Sequence, residues 1–211
     1  MNKAFLFGLG CLGIIVVAVV IFGLALAGGY NGLVGSSTNV DTAWANVQTQ
    51  YQRRADLIPN LVQTVQGAAN FEKSTLTDVI NARANATKVT VNAATAPTDP
   101  EQLKQFEQAQ TALSSSLGRL LAVSENYPQL KANTNFRDLQ AQLEGTENRI
   151  AVARRDFNNV AQAYNQQVRS FPTVIYAGWF GFQPKPYFQS SQGAEAAPSV
   201  NFSFTPSPAP R

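Results

Sequence analysis

From Val40 onward the apolar residues of this sequence step by four and three: Val40, Trp44, Val47, Tyr51, then position 54, Ile58, Leu61, Val65 and Ala68. That step keeps one face of an α-helix apolar over many turns, the seam by which long helices pack at a shallow angle. It recurs at Leu103, Phe106, Gln110, Leu113, Leu117, Leu120 and Ser124, with Leu121 widening the stripe. A third seam runs through Phe136, Leu139, Leu143, Thr146, Ile150, Ala153, Phe157, Val160 and Tyr164, extended by Val168 and Phe171. A shorter stripe, Leu76, Val79, Ile80 and Ala84, predicts one more helix between the first and second seams. A loop follows from Val89 to Pro100, and Asp99 is placed to cap the helix that Pro100 opens. Pro100 and Pro128 break the pattern at hairpin spacing, which disfavours one continuous trimeric coiled coil. The expected fold is all-α, an elongated antiparallel four-helix bundle whose last helix, some 35 residues, makes a rod of roughly 50 Å.

Position 54 breaks the first seam. In "YQRRADLIPNLVQTV", Tyr51–Val65, two arginines adjoin, Asp56 follows and Pro59 interrupts. Neighbours on a helix point about 100° apart, so only one arginine can occupy the seam, and the count puts Arg54 there with Arg53 on the flank. A buried guanidinium requires carboxylates or carbonyls for its donors. The second track of the last helix, Leu143, Glu147, Ile150, Arg154 and Phe157, offers Glu147; Glu125, at the end of the preceding long helix, is the other candidate. The expectation is an Arg54–Glu147 bridge setting helix register, favoured over an anion or partner site. Pro59 is expected to kink or restart the helix, with Asp56 capping the restarted part, as a fixed bend rather than a moving hinge. Glu144 and Glu147 form an i, i+3 carboxylate pair, but with no histidine nearby a solvated or salt-bridged pair is favoured over a metal site.

Ahead of the first seam, Ala4–Ala27 is 24 residues without a charge, long enough to cross a hydrocarbon core of ~30 Å as a helix. The "ALA" at Ala25–Ala27 has the form of a signal-peptide cleavage site, yet a signal h-region usually stops by about 15 residues, so a retained anchor is favoured. A lipoprotein reading through Cys11 is weaker, because too little apolar sequence precedes it. Residues 28–39, "GGYNGLVGSSTN", read as a flexible tether, with Thr38 or Asn39 capping the next helix. Lys3 and the α-amino group flank the span on one side, whereas Asp41 is the first charge beyond it. The positive-inside rule then gives a cytoplasmic N-terminus and a body outside the cytoplasm. The expected organisation is an anchor (1–27), a tether (28–39), a helical body with an aromatic cap (40–188) and a disordered Ser/Pro/Ala-rich tail (189–211).

Composition narrows function by exclusion. The chain has no histidine, which removes Ser-His-Asp and Cys-His nucleophile chemistry and His-containing zinc or di-iron sites. It has a single cysteine, a net charge of +3 from scattered basic residues, and no Gly-rich phosphate loop; no nucleic-acid partner is expected. No catalytic, cofactor-binding or metal-ligating residue and no cofactor is assigned. The aromatic run after Phe171 is the remaining feature: of Tyr176, Trp179, Phe180, Phe182, Tyr187 and Phe188, several are expected to cover the open end or side of the bundle, with a partner or membrane-interface patch as the second reading.

Several phrases resemble one family. "YNGLV" follows the apolar span, "AWANVQTQYQRRADLIPNLVQTVQG" occupies 43–67, and "ENYPQLKANTNFRDLQAQLEGTENRIAVARRDFNNVAQAYN" occupies 125–165 before "SFP". Together they are similar to the LemA family of bacterial membrane proteins, over Tyr30 to about Phe188. The resemblance implies a single-pass protein of the bacterial inner membrane with a bundle of long helices and no agreed enzymatic activity. It also implies an association with membrane stress and membrane-protein quality control, including HtpX-type protease systems. The expected partners are therefore the bilayer, through residues 4–27, and an unknown membrane protein or a second copy. A non-catalytic scaffold or adaptor is the expected function, with a ligand receptor or enzyme using a polar site in the bundle as the alternative.

Overall fold

A computed structural model describes residues 3–67, 71–89 and 95–189, with side chains from Leu12 onward. Among them the chain is helical with no strand: α1 (Lys3–Gln66), α2 (Lys73–Lys88), α3 (Pro100–Ser124), α4 (Pro128–Ala132), α5 (Thr134–Arg169) and α6 (Thr173–Tyr176). Ala68, residues 90–94 of the loop and residues 190–211 of the tail expected to be disordered lie outside the described residues.

The seams are the core. Every α1 seam residue from Val40 to Val65 is buried, Arg54 included, and so is every α3 seam residue from Leu103 to Ser124. In α5 the seam is buried at Phe136, Leu143, Thr146, Ile150, Phe157, Tyr164 and Val168, but Phe171 lies beyond the helix and is 80% exposed. α1 and α5 run antiparallel: Ser36 meets Gln167, Trp44 meets Phe157 and Arg54 meets Glu147. α2 and α3 do likewise, through Ala86 with Gln110 and Asp78 with Arg119. α2 corrects the expected stripe, because it turns Leu76, Val79 and Ala86 inward and leaves Ile80 exposed. Helix starts follow their caps: Asp99 accepts from Glu101 N at 2.9 Å ahead of Pro100, and Asn133 accepts from Phe136 N at 3.3 Å.

The segment expected to be a tether, 28–39, is instead part of α1, which runs unbroken from the apolar segment into the core. Packing supplies the reason. Leu33 is fully buried, Ser36 Oγ donates to Gln167 Oε1 at 2.5 Å, and Tyr30 sets its ring edge-on to Phe180 and Phe182. The glycines that suggested flexibility admit close neighbours: a Cβ at Gly29 would collide with Tyr176 Oη, and one at Gly32 would lie 2.9 Å from Gln167 Nε2. Thr38 caps nothing; its hydroxyl donates to Val34 O one turn back within the helix. The part of α1 from Leu12 contains the one stretch among the described residues long and apolar enough to cross a membrane, with mean hydropathy 2.7.

After α6, Gly181 (φ 79°) turns the chain into an extended segment, 182–189, laid along α5. Two asparagines hold it. Asn165 Oδ1 accepts from Lys185 N at 2.7 Å while its Nδ2 donates to Lys185 O at 2.8 Å; Asn158 makes the same pair with Phe188, at 2.9 Å each way. Seven helical residues span about 10.5 Å and three extended residues about 10 Å, so the two clasps match in pitch. The segment delivers Phe188 onto Trp44 and Phe157. Replacing Asn165 by Ala removes both bonds at one clasp and leaves backbone groups near Lys185 unpaired. The expected cost is about 1–3 kcal/mol in a denaturant titration, with faster amide exchange confined to 182–189.

Candidate functional site

Arg54 enters the core one turn after Tyr51 and one turn before Ile58, and its guanidinium is 1% exposed. Its Nη1 donates to Glu147 Oε1 at 2.6 Å and to Ser114 Oγ at 2.8 Å. Nη2 donates to the Gln110 side-chain oxygen and, at 3.4 Å, to Gln110 O. Nε is left without a hydrogen-bond partner among the described residues, and the Tyr51 ring centroid lies 5.1 Å from Cζ. α2 joins at the same level, since Gln110 Nε2 donates to Ala86 O at 3.4 Å. The result is a polar layer fed by four helices. It separates two apolar clusters, one containing Trp44, Tyr51, Phe106 and Ile150, the other Ile58, Leu113 and Leu143.

Pro59 belongs to this layer in a way its sequence position does not announce. The helix neither ends nor restarts there, and Asp56, expected as a cap, accepts from Gln52 Nε2 at 2.7 Å. Having no N–H, Pro59 leaves Ala55 O without its intrahelical donor, and Arg83 of α2 supplies one, Nε to O at 2.8 Å. The proline thus opens a backbone acceptor to a neighbouring helix. Glu125 is exposed at the C-cap of α3 and takes no part; 15 residues beyond Gln110 put it about 22 Å along the helix. Glu144 and Glu147 do not converge, since Glu144 accepts from Gln140 at 3.0 Å.

A second ion pair ties α3 to α5: Arg154 Nη2 donates to Glu107 Oε1 at 2.6 Å and to Gln189 O at 2.9 Å, with Cζ 4.6 Å over the Phe188 ring. Burial pushes the Glu107 carboxyl above its usual value, against the opposing pull of Arg154. Burial likewise raises the Tyr51 and Tyr164 hydroxyls and lowers Lys185, whose Nζ donates to Ala96 O at 2.9 Å. Sequence reasoning missed Gln110, Ser114, Glu107 and the two asparagines. The detectable signals were a polar residue at a seam position (Gln110) and asparagines seven apart beside the last seam.

The aromatic residues split. Tyr176 is buried beneath α1, Phe182 is partly buried, Phe180 is about half exposed, and Trp179 is 83% exposed. An open groove of about 950 Å³ runs between α1 and the α2–α3 pair, lined by Gln48, Gln52, Arg53, Asp56, Thr87 and Gln110 among others.

Two tests address the ion pairs. Arg54→Ala strips the layer of its hub and should cost about 3–5 kcal/mol. Glu147→Gln should cost only about 1 kcal/mol, because that carboxylate is nearly half exposed and an amide oxygen can still accept; equal losses in urea titrations would contradict the layer's asymmetry. For Glu107, a folded pKa above the unfolded 4.5 means burial favours the protonated form. The stabilisation that form gives is complete below 4.5 and is lost as pH rises through the raised value. The stability of wild type relative to Glu107→Gln should fall across that window and then level off.

Residues 43–202 match the LemA family. Over 195 residues the chain is 26% identical to magnetosome protein MamQ 2 of Paramagnetospirillum magneticum, covering 85% of this chain and 72% of that protein. It is 25% identical over 199 residues to magnetosome protein MamQ of Magnetospirillum gryphiswaldense, covering 87% and 73%. It is 24% identical over 177 residues to protein LemA of Metamycoplasma hominis, covering 84% and 76%. With a match across most of its length, including the arginine layer and the asparagine clasps, this chain belongs to the LemA family.

Proposed function

We propose that the protein is a membrane-anchored, non-catalytic adaptor. In this reading α1, α2, α3 and α5 form an elongated antiparallel four-helix bundle, carried by the apolar half of α1 at the surface of a bacterial inner membrane. One observation carries it: α1 is a single 64-residue helix that joins the apolar segment to the core without a joint. An anchor of that kind holds the body in one orientation to the bilayer and presents α5, about 54 Å long, as a standing face. The relatives named LemA and MamQ support a membrane-associated role. The partner is a membrane protein, an HtpX-type protease system among the candidates, or a second copy. The N-terminus faces the cytoplasm and the body lies outside it, on the charge asymmetry of Lys3. The groove beside Arg53 and Asp56 supports a second reading, a ligand receptor; its lining mixes Gln52, Arg53, Asp56 and Thr87 with Leu57, Val89 and Phe106, without a nucleophile–base pair.

The adaptor reading predicts that photo-crosslinkers at Val152, Arg155 and Asn159, on the outer face of α5, capture a membrane protein or a second copy in intact membranes. Capture of neither by a chain that resists alkaline carbonate extraction would contradict it. Orientation is open to the same preparation. Cys11, the only native cysteine, lies in the apolar segment, so a cysteine placed at Arg155 should react with an impermeant maleimide added outside the cell.

A further inference from the structure

Residues 170–184, "SFPTVIYAGWFGFQP", carry no charge, and α1 carries none from Ala4 to Val40. The structure lays these two charge-free stretches side by side. Tyr176 packs on Gly29, Phe180 and Phe182 meet Tyr30, and Leu26, inside the apolar segment, packs against the cluster holding Leu33, Tyr176 and Ala177. On the outside of that contact the chain exposes five large apolar side chains within 171–180. Phe171 and Trp179 are 80% and 83% exposed, and Val174, Ile175 and Phe180 are each more than half exposed. Elsewhere among the described residues from 28 onward, large exposed apolar side chains occur only singly or in pairs: Tyr30, Val34, Ile80, Val152 and Tyr187. A concentration of this kind marks a surface that is covered by something apolar.

The level of the patch along α1 identifies the cover. If the hydrocarbon core begins at Ala4, ~30 Å of it takes about 20 residues, to Gly23, and the headgroup zone beyond takes about four more, ending near Ala27. Leu26 to Tyr30, where the cap sits, is therefore the depth of the outer headgroups and their boundary with water. Tryptophan and other amphipathic rings concentrate at that depth, where the ring body meets acyl chain and the indole N–H meets water or phosphate. Arg169, exposed at the end of α5 just before the run, stands where a guanidinium can reach lipid phosphate.

We propose that residues 171–180 form a lipid-facing apron, inserted into the bilayer interface around the base of α1, with Phe171, Val174, Ile175, Trp179 and Phe180 as its contact residues. The apron rests on the anchor reading and adds to it a second attachment, made by the C-terminal end of the folded body. α1 and the α5–α6 junction would then both be fixed to the membrane, holding the body against tilting as well as against diffusion away.

The chain has two tryptophans, and Trp44 is fully buried in the core, so the difference between wild type and Trp179→Ala reports Trp179 alone. Full-length protein is reconstituted into phosphatidylcholine–phosphatidylglycerol vesicles, floated on a density gradient, and its fluorescence quenched by phospholipid carrying a nitroxide near the headgroup. The expected result is a floating chain whose Trp179 emission lies to the blue of free tryptophan and falls by about half or more, while the Trp44 emission of Trp179→Ala is unchanged. A floating chain whose Trp179 is untouched by the labelled lipid overturns the apron and leaves the anchor standing. Such a tryptophan is in open water if aqueous iodide quenches it, and covered by protein if iodide does not. A chain that fails to float overturns the anchor and the apron together.

Discussion

The body is organised around one buried charge. A guanidinium that is 1% exposed is tolerable only where its donors find acceptors, and here they come from α3 and α5 at one level. A slip of one turn in either direction would carry Arg54 among Phe106 and Ile150 or among Leu113 and Leu143, where it would be an unpaired ion in an apolar cluster. Heptad seams alone permit such slips, because each turn of an apolar stripe resembles the next; a polar group at one seam position removes the degeneracy. Pro59 extends the arrangement to α2 by surrendering Ala55 O to Arg83. Register is thus written in a few polar atoms, and the apolar residues on either side supply the bulk of the burial.

That register reaches the apolar segment because α1 does not stop. The helix that carries Arg54 also carries the apolar segment from Leu12, and between them Leu33, Ser36 and Tyr30 are engaged with α5 and the aromatic cap. The C-terminal stretch closes the structure from the other direction. It leaves α5, packs Tyr176 against Gly29, and returns along α5 through the Asn165 and Asn158 clasps to set Phe188 on Trp44. Residues 28–39, which sequence alone would assign to a tether, and the aromatic cap are folded onto one another at the base of the body.

What was legible in the sequence was what repeats. The 3–4 step identified the buried faces of α1, α3 and α5, and counting along it turned Arg54 inward and pointed to Glu147. Where a segment was short the stripe misled: in α2 the register differs by enough to expose Ile80 and bury Ala86. Residues 28–39 misread for a different reason. Glycine and serine lower helix propensity and suggest freedom, whereas tertiary contact decides the matter when a small residue lets a neighbour approach. Pro59 is the same error inverted, a helix breaker whose lost hydrogen bond is replaced from another helix. The asparagine clasps were invisible because side-chain-to-backbone pairing with an irregular segment has no periodic signature.

If the apolar segment and the body are one rigid element, the distance across residues 28–39 is fixed. Nitroxides placed at Leu24 and Asn39, both exposed, with Cys11 replaced, can be measured by double electron–electron resonance in the full-length protein in vesicles. An unbroken helix places these positions about 22 Å apart along its axis and gives a single narrow distribution near that value. A broad distribution extending well to either side would mean a jointed tether, and would contradict the account.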